Sequence, residues 1–481
     1  MIRIGAGNKR RRQGRDAVRG RRHRPSVLAL EGRTLLSTIV VNNPTDIPVT
    51  GQTDLRQAIA QANADGGGDT IDFSSLFNSP HTITLTTGPF TLTGTATTTI
   101  TGPGANCLTI SGNKASGVFA IEGGAAALTG LTVTGGQADR GAGLLNQGGT
   151  LSLTSVAVSG NVANDQGGGV DTQFSGTTTL TDCTISGNST ANHGGGGLAT
   201  LYSGSATLTN CTISGNSAPT GGGLYNNTGT LSLINCTVSG NTAQSGGGLT
   251  SENSSLTSLT NTLVAGNTGG DLQGTLQPGS TNDLIGVNPL LAPLGDYGGP
   301  TQTMALLPGS PAIGGGTTTG VPATDQRGVQ RSGHVDIGAF QSRGFTLAPD
   351  AGSTPQSAIL GVAFASPLAV TVTANNSVEP VDGGVIAFAA PSAGASAFLP
   401  TATAIIAGGK AQVIASAASA PGQYTVTASA PGIGRIGFSL TNTQNPSLVV
   451  NTTKDLPLPI NGENSLRTAI EYADLDRKSV V

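Results

Sequence analysis

Between residues 128 and 267, short segments of alternating apolar and polar residues return along the chain with a nearly constant spacing. Each return ends in Ser-Gly-Asn or Ala-Gly-Asn, and successive returns are 27, 28, 25 and 26 residues apart. The final residues are Asn161, Asn188, Asn216, Asn241 and Asn267. Self-similarity with a period of roughly 20 to 50 residues is typical of a solenoid, in which each repeat buries its apolar face only against its neighbours.

Alignment of the repeats on these Asn residues reveals two unbroken apolar columns. One column holds Leu128, Leu153, Leu180, Leu208, Leu233 and Leu259. The other holds Val133, Val158, Ile185, Ile213, Val238 and Val264. The flanking positions are mostly Thr and Ser, which gives the period of two that is characteristic of β-strands. The sequence therefore predicts an all-β fold, a right-handed parallel β-helix, in which Asn side chains stack along one corner.

The coils are predicted to occupy residues 80–283, and residues 38–79 are predicted to form an N-terminal cap with a short helix. The apolar face of this helix comprises Leu55, Ala58, Ile59 and Ala62. Thr53 or Asp54 is expected to cap its start, and Gly66 follows its end. A helix placed across an open β-helix end would cover unpaired strand edges and an apolar cross-section.

Two further segments follow the coils. Residues 284–341 are predicted to form a C-terminal cap or anchor-type module that acts as a second lid. Residues 345–443 lack the Gly clusters and contain about seven short alternating strands separated by turn residues. This pattern predicts an immunoglobulin-like β-sandwich.

Four stretches resemble known bacterial sequences. The box Thr53-Asp54-Leu55-Arg56-Gln57-Ala58 resembles the Cys-Ser-Leu-Arg-Glu-Ala-type box of surface β-helix caps, with the Cys and the Glu absent. Residues 288–341 contain the phrases Asn-Pro-Leu-Leu, Gly-Gly-Pro-Thr and Asp-Ile-Gly-Ala-Phe and resemble the choice-of-anchor module. Residues 345–443 resemble the Ig-like domains of bacterial adhesins and surface arrays. The phrase Leu30-Glu31-Gly32-Arg33-Thr34-Leu35-Leu36-Ser37 resembles the leader motif of exported planctomycete proteins. Together these resemblances imply an exported surface protein.

The net charge of -3 conceals an uneven distribution along the chain. Residues 1–37 carry ten Arg and one Lys against Asp16 and Glu31, a net charge of +9, so the remaining chain carries -12. We expect residues 1–37 to be a disordered basic leader associated with export. A role in nucleic-acid binding is disfavoured, because no aromatic residue interleaves the arginines and the rest of the chain is acidic.

Near the C-terminal end, residues 449–470 repeat residues 40–59, and Asp455 corresponds to Asp46. Residues 447–475 are therefore predicted to begin a second cap, and residues 476–481 to be a sequence artefact. On this interpretation the chain is a fragment of a longer gene product. We expect the first cap to be packed against coils and the second to bury little apolar surface.

The candidate catalytic residues fall into two groups. The coils contain Asp139, Arg140, Asp165, Asp171, Asp182 and His193, and the terminal module contains Asp325, Arg327, His334 and Asp336. β-Helix enzymes that act on polysaccharides need converging carboxylates, a calcium site or an Arg base. In the sequence alignment the first group does not converge. Asp165 and Asp171 fall in expected turns, Asp182 takes a corner position, and His193 is expected to be exposed. For the second group, hydrogen bonding within the cap is expected.

Three of the four cysteines, Cys183, Cys211 and Cys236, occupy one column that holds Leu or Val in other coils. They are interpreted as buried free thiols, with a disulfide or metal site as the alternative. No zinc-type spacing, phosphate loop or nucleophile elbow is present in the sequence. We expect no catalytic, cofactor-binding or metal-binding residues, no cofactor, and no membrane span.

The sequence thus favours a non-catalytic structural or adhesion protein, exported to the cell surface or the extracellular space, whose partners are surface polysaccharides or other surface proteins. A polysaccharide lyase or hydrolase is the first alternative. A carbohydrate-binding module is the second, which the absence of Trp and the scarcity of Tyr disfavour, since aromatic rings are the usual platforms for sugars.

Overall fold

The computed structural model describes residues 37–66, 68–331, 333–444, 453–455 and 465–471. All of the described residues belong to one compact unit. Nearly all of the predicted leader, the predicted artefact at 476–481 and much of the predicted second cap lie outside the described residues.

Residues 38–285 form the predicted right-handed parallel β-helix, whose coils stack into three long sheets. Sheet A contains Thr38–Val41, Thr70–Phe73, Thr97–Thr101, Ala125–Thr129, Thr150–Thr154, Thr177–Thr181, Ser205–Thr209, Thr230–Ile234 and Leu256–Thr260. Sheet B contains Phe90–Leu92, Phe119–Glu122, Leu144–Gln147, Val170–Gln173, Leu198–Leu201, Leu224–Asn227, Leu249–Glu252 and Leu272–Gly274. Sheet C contains His81–Thr84, Leu108–Ser111, Thr132–Thr134, Ala157–Ser159, Thr184–Ser186, Thr212–Ser214, Thr237–Ser239, Leu263–Val264 and Leu284–Ile285. Sheet A therefore begins within the predicted N-terminal cap.

The strand registers confirm both apolar columns. In sheet A, Leu180 pairs with Leu153 on one side and with Leu208 on the other. In sheet C, Ile185 pairs in the same way with Val158 and Ile213. All of these side chains are fully buried. Stacked, in-register apolar residues give the solenoid one continuous core along its length.

A ladder of Asn side chains runs along one corner, as the Ser-Gly-Asn phrases predict. Each Asn from 161 to 241 donates its Nδ2 group to the Oδ1 atom of the next Asn, at 2.9 to 3.0 Å. Asn267 ends the ladder by donating to Asp271 at 2.8 Å. Because the corner is buried, these bonds satisfy polar groups that water cannot reach.

The predicted capping helix spans Leu55–Ala64, and its four predicted apolar residues are buried. Asp54 is the N-cap residue and forms a reciprocal capping box with Gln57. Arg56 on the same helix donates to both carboxylate oxygens of Asp46, at 2.8 and 2.9 Å. A 3-10 turn, Ser75–Asn78, follows and buries Phe77.

Residues 288–341 lie along the side of the coils, which differs from the expected role as a second lid. Outward Thr residues of sheet C bind this module: Thr212 contacts Thr303 at 2.9 Å and Gln326 at 2.6 Å. Thr237 accepts from the backbone of Ala339 at 3.0 Å. At the end of the coils, Leu272, Leu276 and Ile285 pack against the core instead. These three residues extend the solenoid core, and the module braces one face of the coils.

Residues 345–443 form the sandwich-like β domain that the alternating strands predict. Its strands are Phe345–Pro349, Gln356–Ile359, Leu368–Ala374, Val385–Ala389, Ala397–Phe398, Thr403–Ile405, Lys410–Val413, Ser416–Ala417, Gly422–Ala430 and Ile433–Thr443. Most pairings are antiparallel, and the domain shares a hydrophobic core with the preceding module. The immunoglobulin-like identity of this domain stays a prediction.

Candidate functional site

The outer surface of sheet B carries a cluster of charged and aromatic side chains that come from three consecutive coils. Beside this sheet, a small parallel sheet is formed by Gln137–Arg140, Val162–Gln166 and Ser189–Thr190. These strands lie between the Asn corner and the Gly cluster of each coil. Because the coils stack in register, equivalent residues of the three segments become neighbours: the backbone N–H of His193 donates to the carbonyl of Asp165 at 3.1 Å.

Arg140, Asp165 and His193 form one ion-paired group. Arg140 donates from Nε and Nη2 to Oδ2 of Asp165, at 2.8 and 2.7 Å. The other carboxylate oxygen of Asp165 is bound to Nδ1 of His193. Arg140 also reaches Oε1 of Gln173 in sheet B, at 3.3 Å. Burial opposes the charge on Arg140, but bonds to Tyr202 and Asp165 outweigh it and raise the pKa of Arg140 above its ordinary value.

Asp171 lies beneath this group and is completely buried. Neither of its carboxylate oxygens has a hydrogen-bond partner. Its neighbours in register on the two adjacent strands, Leu145 and Ala199, are apolar and cannot form side-chain hydrogen bonds with it. Desolvation raises the pKa of Asp171 to about 7; Arg140 opposes this rise and Asp165 adds to it.

The Gly cluster of the same coil explains how Asp171 becomes buried. The backbone of Gly167 has a φ of +61°, and a Cβ atom there would lie 2.6 Å from the Cβ of Asp171. Only Gly permits this close approach together with the left-handed conformation. The turn therefore covers the carboxyl group that the strand directs outward.

Two aromatic residues stand at the end of sheet B, next to the charged group. The rings of Phe174 and Tyr202 are stacked, with centroids 5.1 Å apart and planes 10° apart. They are 51% and 47% exposed. The guanidinium carbon of Arg140 lies 5.9 Å from the centroid of the Tyr202 ring.

Both aromatic residues occupy a turn position where the backbone is left-handed. The equivalent residues of the other coils are Gly123, Gly148, Thr228 and Asn253, all with positive φ. The φ values of Phe174 and Tyr202 are 52° and 47°. A side chain in this conformation costs about 1 kcal/mol or more relative to Gly, and bulky residues there are rare. Two adjacent aromatic residues in this column therefore add backbone strain that the fold alone does not require. This favours a role for them at the surface.

The structure corrects the sequence-based interpretation of four candidates. Asp165 and Asp171 lie in strands Val162–Gln166 and Val170–Gln173, not in turns. Arg140, Asp165 and His193 converge, whereas alignment on the Asn residues predicted that they would not. The side chain of His193 is 63% exposed, as expected, but it is held by Asp165.

The other coil candidates lie outside this cluster. Asp139 accepts from Asn164 at 2.9 Å on the exposed rim. Asp182 takes the predicted corner position and accepts from Asn210 at 3.1 Å. Burial raises the pKa of Asp182, Asn210 lowers it, and the net shift is upward.

In the terminal module, Asp325 and Arg327 form a buried ion pair with contacts at 2.8 and 2.9 Å. The guanidinium of Arg327 also lies 3.5 Å from the ring centroid of Phe340. Asp336 accepts from the backbone N–H groups of Gly314 and Ser342, at 2.8 and 2.7 Å, and lies 3.5 Å from Nε2 of His334. These contacts hold the module together, and His334 is the half-exposed member of the group.

The three stacked cysteines, Cys183, Cys211 and Cys236, are buried and unpaired by disulfides. Burial raises the pKa of the Cys211 thiol, and its two neighbours raise it further. Within the described ranges, no group of three or more His, Cys, Asp or Glu residues is arranged to hold a metal ion. In that same part of the chain, no helix has both the length and the apolar character to cross a membrane.

The aromatic pair escaped the sequence analysis, although the sequence contains a signal for it. The phrases Thr172-Gln173-Phe174-Ser175-Gly176 and Thr200-Leu201-Tyr202-Ser203-Gly204 align, and the shared Ser-Gly places both rings in one column. The low aromatic content of the whole chain hides this pair. Two rings are enough to form an exposed aromatic surface when they stack on each other.

Comparison with known proteins identifies the solenoid. Residues 93–268 match the family model described as right handed beta helix region. No curated protein and no solved structure matches the chain. The match covers the coils that carry the Asn ladder and the charged and aromatic cluster, and the structure shows that this part of the chain is a right-handed parallel β-helix.

Proposed function

We propose that the protein is a non-catalytic structural and adhesion protein, exported to the cell surface or the extracellular space. The observation that carries this proposal is the continuous Asn ladder beneath three uninterrupted sheets. A solenoid whose buried corner is hydrogen-bonded from coil to coil is a stiff rod, and a stiff rod suits a spacer or a scaffold.

The outer surface of sheet A supports the same role. One outward row reads Ser152, Thr179, Thr207, Ser232 and Ser258 in register. These hydroxyl groups repeat at the strand spacing of about 4.8 Å. A regular row of donors and acceptors on a stiff surface suits broad, weak contact with hydroxyl-rich polymers or with other surface proteins.

The state of the carboxylates argues against glycoside hydrolysis at the cluster. That reaction uses two carboxyl groups that both face the sugar. Here both oxygens of Asp165 are engaged by Arg140 and His193, and Asp171 is fully buried. Asp165 and Asp171 are therefore not available together as a free acid and a free base.

A polysaccharide lyase or hydrolase is the second candidate, and one observation favours it. The exposed imidazole of His193 is oriented by Asp165, with Arg140 on the same carboxylate. A carboxylate that fixes a His tautomer is a common arrangement for a general base. The cluster thus contains a candidate general base, His193, and a cation, Arg140, but it lacks a second group to act as the paired acid.

An activity assay separates the two candidates. Purified protein incubated with pectin or alginate, with and without calcium, should release neither unsaturated nor reducing ends. Release that is lost on His193→Ala or Asp171→Ala would overturn the proposal in favour of the enzyme. For the location, biotinylation of intact source cells with an impermeant reagent should label the protein, and labelling that requires cell lysis would contradict surface exposure.

A further inference from the structure

The stacked rings of Phe174 and Tyr202 form a small exposed platform on the side of the rod. Their planes differ by only 10°, and each ring is about half exposed, at 51% and 47%. Their centroid separation of 5.1 Å is close to the spacing of adjacent coils, so the rings stack along the rod axis. One face of Phe174 is covered by Tyr202, and its other face is directed toward the preceding coil.

That preceding coil leaves the space open. The equivalent turn positions on this side are Gly148 and, one coil further, Gly123, and both are exposed. A Cβ atom added to Gly123 would meet nothing within 4 Å, and at Gly148 it would meet only a backbone oxygen, at 3.4 Å. The platform therefore borders a shelf without side chains, which is wide enough along the axis for a flat ring to lie against Phe174.

Hydrogen-bonding groups flank this shelf. Gln147 is exposed and is in register with Gln173, the residue before Phe174. Gln173 itself is buried and accepts from the Arg140 guanidinium, which also lies near the Tyr202 ring. Because the charge of Arg140 is already balanced by Asp165, the shelf has no unpaired cation that would select an acidic ligand.

We infer that Phe174 and Tyr202, with Gln147 and the shelf at Gly123 and Gly148, form a binding subsite for a neutral pyranose ring of a polysaccharide. A β-linked glucose unit carries its hydroxyl groups at the ring edge and C–H groups on both faces. The C–H groups suit the electron-rich face of an aromatic ring, and the edge hydroxyls suit the exposed amide of Gln147. This subsite rests on the proposed adhesion function and gives it a ligand class.

Isothermal titration calorimetry of the full chain with cellohexaose tests the inference. Phe174→Gly and Tyr202→Gly remove the rings while keeping a backbone that tolerates positive φ, so both variants should fold and melt no earlier than the parent protein. Phe174→Gly should weaken binding about tenfold, which corresponds to about 1.4 kcal/mol, and Tyr202→Gly should also weaken it, because the ring that supports Phe174 is lost. Phe398→Ala is the matched control, since Phe398 is a 63% exposed aromatic residue in the β domain. It should leave the affinity unchanged.

Three results would overturn the subsite: no binding heat for the parent protein at millimolar cellohexaose, equal affinity in the Gly variants, or tighter binding of hexagalacturonate than of cellohexaose. Each of these leaves the surface location and the absence of cleavage untouched, because those are measured separately. Conversely, binding of cellohexaose by a protein that is not surface-exposed would support the subsite and remove its role in adhesion.

Discussion

Asn188 binds Asn161 through one side-chain oxygen, which accepts from the backbone N–H of Asn161 at 3.0 Å and from its Nδ2 group at 2.9 Å. The amide of Asn188 in turn donates to the carbonyl of Val158 and to Asn216, at 2.9 and 3.0 Å. Asn188 is 1% exposed, so none of these groups can turn to water instead. One side chain thus joins three coils.

The first prediction is that Asn188→Ala lowers the free energy of unfolding by about 2 to 4 kcal/mol, because the buried donors and acceptors of its neighbours lose their partner. Denaturant unfolding followed by circular dichroism measures this. Asn192→Ala, at an exposed Asn of the same coil, is the control and should change stability by less than about 0.5 kcal/mol. Equal losses in the two variants would contradict the ladder's energetic role.

Second, Leu208→Ala should cost about 2 to 5 kcal/mol, because Leu208 is fully buried between Leu180 and Leu233 and truncation leaves a cavity. Thr209→Ala, at the next and partly exposed position, should cost little. Thermal melts of both variants make the comparison. If the two melting temperatures fell by the same amount, the assignment of inward and outward positions in sheet A would be wrong.

The sequence predicts the solenoid well because its two apolar columns and its Asn corner repeat in every coil. Leu128 through Leu259 keep one residue type over six coils, and the registers reproduce that alignment. The cluster on sheet B was harder to predict. Arg140 and Asp165 each lie four residues beyond the corner position of their own coil, so they share a column, although a register shift after Ala138 pairs the backbone of Arg140 with Gln166. A search of the columns for paired carboxylates misses this contact, because it joins an arginine to a single carboxylate.

The position of residues 288–341 could not be read from the sequence for a different reason. A module that follows the last coil can cover the end or fold back along a side, and both bury apolar surface. The position along the side is determined by hydrogen bonds between the module and the outward hydroxyl groups of Thr184, Thr212 and Thr237. In the sequence these residues are indistinguishable from the solvent-facing Thr residues of sheet A.

Third, the pH dependence of stability should contain a contribution from Asp171. Its pKa is raised to about 7 in the folded state, above the ordinary value of a carboxyl group near 4, chiefly by desolvation. The folded state therefore holds a proton that the unfolded state releases. This contribution is fully present below pH 4 and is lost as the pH rises through 7.

Asp171→Ala should remove this dependence and raise the free energy of unfolding at pH 8 by up to about 4 kcal/mol. Ala fits the position, since Ala199 is its neighbour in register. Denaturant unfolding of both proteins at pH 5 and pH 8 measures the difference between the two curves, which cancels other titrating groups. A gain of the same size at both pH values would show that the carboxyl group does not ionise in this range.

The last prediction concerns the two cap segments, which share local contacts but differ in packing. Arg467 donates to both carboxylate oxygens of Asp455, at 2.7 and 2.8 Å, as Arg56 does to Asp46. Ser465 and Thr468 exchange backbone and side-chain hydrogen bonds at 2.9 and 3.3 Å, as Asp54 and Gln57 do. The repeat seen in the sequence is therefore also a repeat of structure in the described residues.

The apolar positions behave differently in the two segments: Leu55 is fully buried, whereas Leu466 is 63% exposed. Leu55→Ser should therefore lower the free energy of unfolding by about 2 to 5 kcal/mol, because it loses core packing and buries a hydroxyl group. Leu466→Ser should change it by less than about 0.5 kcal/mol, because its side chain already faces solvent. Denaturant unfolding of the two matched variants provides the measurement. A loss from Leu466→Ser as large as that from Leu55→Ser would mean that the second segment packs against an apolar surface in solution, as the first does in the structure.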